Sequence, residues 1–226
     1  MRLFIATAAL LAFTSVPLLA QADSDTGNRY DLDRRYAAEI SASQAYLETL
    51  VHRDHAKGHK GQGRSHAVII DVRTVEEYVG GHPPNAYSIP FPHIYNRQND
   101  PLKGDYIGQD PDDFVAGVDA LDLPKDTLII TMCRTGFRSV LAGNLLADAG
   151  YTNVRNMWEG FKGNTKLNTS GDEADLDGDG EVKTDPYSGD LDGWANFGGL
   201  PVSYKLKHWR LYQPYMDLYY NVEGER

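Results

Sequence analysis

A single cysteine, Cys133, stands in the run Cys133-Arg134-Thr135-Gly136-Phe137-Arg138-Ser139. An apolar stretch precedes it and a helix-like pattern follows. The thiol therefore meets the amino end of a helix, where unpaired N–H groups and the macrodipole favour negative charge. Arg134 and Arg138 add two positive charges. Both effects favour the thiolate, the nucleophilic form of cysteine. Gly136 lets the loop curl so that successive N–H groups point inward as an anion nest. Ser139 is placed to cap the following helix. A free cysteine is more often a small buried hydrophobe, but the cationic glycine loop around this one argues for nucleophilic chemistry.

Such a loop needs a strand to deliver it and a helix to receive it. The run Thr127 to Met132 is short, apolar and β-branched, and ends at Cys133. Ala67-Val68-Ile69-Ile70 has the same character and ends at Asp71. Both read as buried strands. Ser41-Ala42-Ser43-Gln44 has capping-box spacing and opens a predicted helix over 42–55. Further helices are predicted over 75–79, 111–121 and 139–149, with Gly150 stopping the last. Strands alternating with helices predict an α/β fold, with a mostly parallel central sheet and helices on both faces. Ligands of such sheets sit beyond the carboxyl ends of the strands, where Asp71 and Cys133 both fall.

The loop resembles the Cys-Arg-x-Gly-x-Arg active-site pattern of the rhodanese family. Asp71-Val72-Arg73 resembles that family's Asp-x-Arg strand end, and Gly81-His82-Pro83-Pro84-Asn85-Ala86 its Gly-His-x-Pro-x-Ala turn. Gly150-Tyr151-Thr152-Asn153-Val154 and Gly160-Phe161 resemble its last strand and glycine turn. Gly193-Trp194 and Gly199-Leu200-Pro201-Val202 resemble its ending. The resemblance spans about residues 40–202, with insertions.

What the resemblance implies is a rhodanese-like sheet and a ping-pong sulfurtransferase. Cys133 would take the outer sulfur of a small anionic donor such as thiosulfate, then pass it from a persulfide to a thiol or protein acceptor. Arg134, Thr135, Gly136, Phe137, Arg138 and Ser139 would bind the donor, with Arg134 and Arg138 holding its charge. Asp71 and Arg73 would brace the loop, and His82 would order its turn. No cofactor is required. Phosphatases on a similar fold carry Cys-x5-Arg; Cys133 to Arg138 is Cys-x4-Arg, which favours sulfur. Two other readings share these residues: a sulfur relay serving one partner without turnover, and a calcium-stabilised binding protein of the envelope.

The rest of the sequence sets the context. Residues 1–22 read as a secretory signal, with Arg2, an apolar run from Leu3 to Leu19 and an Ala20-Gln21-Ala22 cleavage pattern. A periplasmic or secreted protein is expected, with no membrane span after cleavage. A net charge of −10 argues against a nucleic-acid partner. Residues 23–202 read as one domain and 203–226 as an aromatic extension, which either packs on the domain, the favoured reading, or contacts a partner. Within the domain, an acidic insertion over about 164–192 interrupts the family pattern. There Asp175, Asp177, Asp179 and Glu181 match the start of an EF-hand loop and are candidate ligands for structural calcium. The twelfth position, which should supply an acid, is Pro186, so Asp185 or a residue of the later Asp190-Leu191-Asp192-Gly193 run would complete the shell. His52, His55, His59 and His66 flank a glycine- and lysine-rich segment that reads as a solvated loop.

Overall fold

The computed structural model describes residues 32–55, 67–96, 106–184, 189–196 and 199–224, without side chains for 51–55, 96, 106 and 223. The expected signal and the side chains of all four clustered histidines lie outside these described residues.

Two apolar runs make the centre of the sheet. β2 (Val68–Asp71) and β6 (Ile129–Met132) pair in parallel, with Ile69 opposite Ile130 and Asp71 opposite Met132. Ile70, Ile129, Ile130 and Met132 are fully buried, as expected of strands covered on both faces. β7 (Val154–Met157) pairs with β6, β1 (Ala38–Ile40) with β7, and β3 (Tyr87–Ser88) with β2. Among the described residues these form one all-parallel sheet in the order β1-β7-β6-β2-β3. A separate antiparallel pair is made by β4 (His93–Asn96) and β5 (Tyr106–Gly108).

The helices fall where the apolar spacing put them: α1 (Ala42–His55), α2 (Val75–Val79), α3 (Pro111–Asp119) and α4 (Arg138–Asp148). α4 packs on β6 and β7, and α3 packs against α4. The Ser41 hydroxyl accepts the Gln44 N–H at 3.1 Å, as its spacing predicted. Gly150 follows α4 at φ 88°. The last strand differs from expectation: it starts at Val154, where the quoted motif ends.

The extension beyond residue 202 completes the core. α5 (Met216–Gly224) lies against α2. Tyr219 is fully buried, packs edge-on to Tyr78 and shares a 2.8 Å hydrogen bond with the Ser88 hydroxyl. Removing such a side chain from water is a gain of about 2 kcal/mol, and it holds α2 in place next to the cysteine loop. Among the described residues no helix is long and apolar enough to cross a membrane.

Candidate active site

Cys133 follows directly on β6, and five residues later α4 begins. Between them the chain wraps around the sulfur. The Gly136 N–H donates to Cys133 Sγ at 3.1 Å, and the Ser139 hydroxyl donates to it at 3.3 Å. Cys133 is buried, so a charge on its sulfur depends on these donors and on the α4 terminus rather than on water. Gly136 has φ 87°, and an added Cβ would fall 1.9 Å from the Trp158 carbonyl oxygen. Only glycine fits this turn.

The loop is held from behind by the segment after β7. The N–H of Phe161 donates to the Cys133 carbonyl at 2.8 Å, and those of Lys162 and Gly163 donate to the Arg134 carbonyl. Asn156 reaches the Gly136 carbonyl at 3.4 Å. Thr135 is buried, while Arg134, Phe137 and Arg138 are half-buried.

Ser139 corrects one expectation. The residue at the N-cap of α4 is Phe137, with no side-chain cap, and Ser139 sits inside the first turn. Its backbone carbonyl accepts from the Thr131 hydroxyl at 3.0 Å, and its own hydroxyl turns to the sulfur. Spacing alone does not distinguish a cap from this inward turn.

Asp71 and Arg73, expected to brace the loop, form a buried ion pair with each other. The Asp71 carboxylate accepts Arg73 Nε at 2.9 Å and Nη2 at 2.6 Å, with both side chains almost fully buried. Arg73 also donates to the Gly81 carbonyl and lies 3.9 Å above the Phe161 ring. Because Phe161 anchors the Cys133 carbonyl, the ion pair fixes the cysteine through one intermediate. His82 orders its turn: it stacks on Tyr78, hydrogen-bonds the Tyr78 carbonyl through Nδ1, and pairs by backbone with Ser203. Burial pushes its pKa down.

Arg138, expected to hold donor charge, is met by an acid. Its guanidinium closes a two-bond ion pair on Glu77, at 2.8 and 2.9 Å. Glu77 is the third residue of α2 and completes a capping box with Thr74. Burial by itself raises the Glu77 carboxyl; the charge and hydrogen bonds of Arg138, with Arg73 and the Thr74 N–H, bring it down to about 2. Sequence reasoning passed over Glu77. The signal was there in Thr74-Val75-Glu76-Glu77, which has the Thr-x-x-Glu spacing of a capping box.

The acidic insertion brings together a different set from the one expected. Carboxylate oxygens of Asp175, Asp177 and Asp190 lie within 4.8 Å of one another. Asp179 pairs instead with Lys183, and Glu181 is exposed and lies 3.5 Å from the same lysine. Backbone N–H groups serve the cluster: Gly178 and Gly180 donate to Asp175, and Leu176 and Lys183 to Asp190.

An all-parallel α/β sheet that presents a cysteine in a tight donor-lined loop at the start of a helix defines a class of cysteine-loop proteins. Residues 53–166 match the profile of the Rhodanese-like domain, and the chain belongs to that sulfur-transfer family. Among relatives, an uncharacterized protein of Rickettsia prowazekii, RP600, is 29% identical over 102 residues, covering 45% of this chain and 75% of that one. Thiosulfate sulfurtransferase 18 of Arabidopsis thaliana is 32% identical over 92 residues, covering 41% and 62%. Among solved structures, Rv0390 from M. tuberculosis is 24% identical, with a TM-score of 0.44 over 75% of this chain and 99% of that one.

Proposed function

We propose that this protein is a sulfurtransferase that moves sulfane sulfur from a thiosulfate-like donor to a nucleophilic acceptor through a persulfide on Cys133. The observation that carries the reading is the pair of donors, Gly136 N–H and Ser139 O–H, aimed at one sulfur atom. In the first half-reaction the Cys133 thiolate attacks the outer sulfur of thiosulfate. A new S–S bond forms, the old one breaks, and its electron pair leaves with sulfite. In the second, an acceptor such as cyanide or a thiolate attacks the outer sulfur of the persulfide and restores the thiolate. The charge stands on Cys133 Sγ in the free enzyme, passes to the outer sulfur of the persulfide, and returns to Sγ when the acceptor takes that sulfur, so fixed donors on Sγ stabilise the attacking thiolate and the thiolate that is released. Arg134 and the loop N–H groups receive the donor's sulfonate.

The test is intact-protein mass spectrometry of the reduced protein incubated with thiosulfate, beside Cys133→Ser. A gain of one sulfur in the wild type alone, removed by cyanide, is expected. Absence of the gain with a demonstrably reduced thiol refutes thiosulfate as donor and favours a dedicated protein relay.

Two parts of the proposal concern setting rather than chemistry. The protein is exported through residues 1–22, and residues 23–202 form the working domain together with the extension that packs on it. The acidic insertion takes structural calcium between Asp175, Asp177 and Asp190, whose clustered hard oxygens suit that ion. Calcium should then raise the melting temperature of the wild type but not of Asp177→Asn; equal melting with calcium and with chelator rejects the site.

A further inference from the structure

Two arginines near Cys133 stand in ion pairs with acids. Arg138, the first residue of α4, is bound through both terminal nitrogens to the Glu77 carboxylate. Arg73 is bound to Asp71 through Nε and Nη2. The charges of these four side chains cancel beside the cysteine. Glu77 is also not free to swing aside. Its carboxylate accepts the Thr74 N–H at 3.0 Å, and its helix is pinned by the Tyr78 hydroxyl on the Ala86 carbonyl and by α5 packed against it. Arg138 in turn precedes Ser139, whose hydroxyl touches the sulfur. A fixed negative charge therefore stands against the loop cation nearest in sequence to that contact.

Resting on the sulfurtransferase reading, we propose that Glu77 is a specificity-determining residue: by holding Arg138 it sets how strongly the site favours a doubly charged sulfur donor over a singly charged one. A thiosulfate dianion and an aryl thiosulfonate monoanion deliver the same sulfur, releasing sulfite and aryl sulfinate respectively, and differ by one charge. Removing the Glu77 charge changes the potential felt by that extra charge. Two unit charges on the order of 8 Å apart, at an effective dielectric between about 20 and 40, interact strongly enough to shift a ratio of rates by roughly 5- to 30-fold.

The experiment measures the rate of Cys133 persulfide formation by time-resolved intact mass, with thiosulfate and with benzenethiosulfonate. Wild type, Glu77→Gln, Arg138→Gln and the double variant are compared. Each ratio is taken on one preparation, so a partly unfolded fraction cancels. Glu77→Gln should raise the thiosulfate-to-thiosulfonate ratio about 5- to 30-fold, and Arg138→Gln should lower it. The charge-balanced double variant should return to within about threefold of wild type, which a merely structural role for the pair does not produce. Ratios within twofold of wild type in both single variants, while wild type loads from both donors, overturn the proposal and leave the sulfurtransferase reading standing. Failure of wild type to load from either donor overturns that reading itself.

Discussion

Replacing Ser139 by alanine isolates one hydrogen bond to the reacting atom. The Ser139 hydroxyl lies 3.3 Å from Cys133 Sγ, and Ser139 is fully buried, so water does not take its place. A hydrogen bond to a charged partner is worth about 1.5–3 kcal/mol. Charge returns to Sγ in the transition state of the second half-reaction, so the loss corresponds to persulfide discharge slowed by roughly 10- to 150-fold. Stability should suffer far less, by about 1 kcal/mol. The anchoring bond at this position runs from the Thr131 hydroxyl to the Ser139 backbone carbonyl, which alanine keeps. Discharge of the loaded persulfide by cyanide, followed by intact mass, reads the rate; urea denaturation reads the fold. A rate within twofold of wild type, with stability unchanged, refutes the argument that this hydroxyl stabilises charge on sulfur. A rate loss matched by a comparable loss of stability would assign Ser139 to packing instead.

Gly136→Ala meets the Trp158 carbonyl in a left-handed turn, so the loop must shift and sulfur loading should fall at least about 100-fold, given that misplacement by about 1 Å costs that much; loading near the wild-type rate contradicts this. Asp71→Ala leaves the Arg73 charge buried and unpaired, and urea denaturation should show a loss of about 3–5 kcal/mol. Tyr219→Ala should cost a similar amount, about 3–5 kcal/mol, because the ring fills the space between α2 and α5; a loss below about 1 kcal/mol would make the extension an appendage. Stability should also fall in two acid steps. His82 has a folded pKa below its ordinary 6.5, so its contribution is present above that value and is lost as pH falls below it. Glu77 lies at about 2 against an ordinary 4.5, so its contribution is complete above 4.5 and is lost between 4.5 and 2. Urea midpoints at pH 8, 5.5 and 3.5 check both steps, and Glu77→Gln should flatten the lower one.

Much of this protein is legible in short stretches of its sequence. The two apolar runs ending at Asp71 and Cys133 specify adjacent buried strands, since a continuous β-branched run has no other stable place in an α/β domain. Helix starts and stops follow from local chemistry, as at Ser41 and Gly150. Gly136 declares the loop's turn, because a positive φ is a property of one residue and its immediate neighbours. Thr-x-x-Glu at residues 74–77 announces a capped helix.

What the sequence does not decide is which distant partner a side chain chooses. Arg138 looks like an anion-binding arm when read beside Cys133; it becomes one half of an ion pair because the parallel order of β2 and β6 sets the starts of α2 and α4 side by side. Ser139 reads as a cap and instead faces the sulfur, because the wrap of the loop, fixed by residues 156–163, brings Cys133 within its reach. β1 carries only the residues Ala38–Ile40, too few for a periodic signal, and exists through pairing with β7. Asp190 joins Asp175 and Asp177 across the insertion while the nearer Asp179 turns to a lysine. Spacing along the chain records which groups are near in sequence, and so fixes helices, turns and the cysteine loop. Charge pairing acts through space over a few ångströms, so its outcome belongs to the folded topology that brings the partners together.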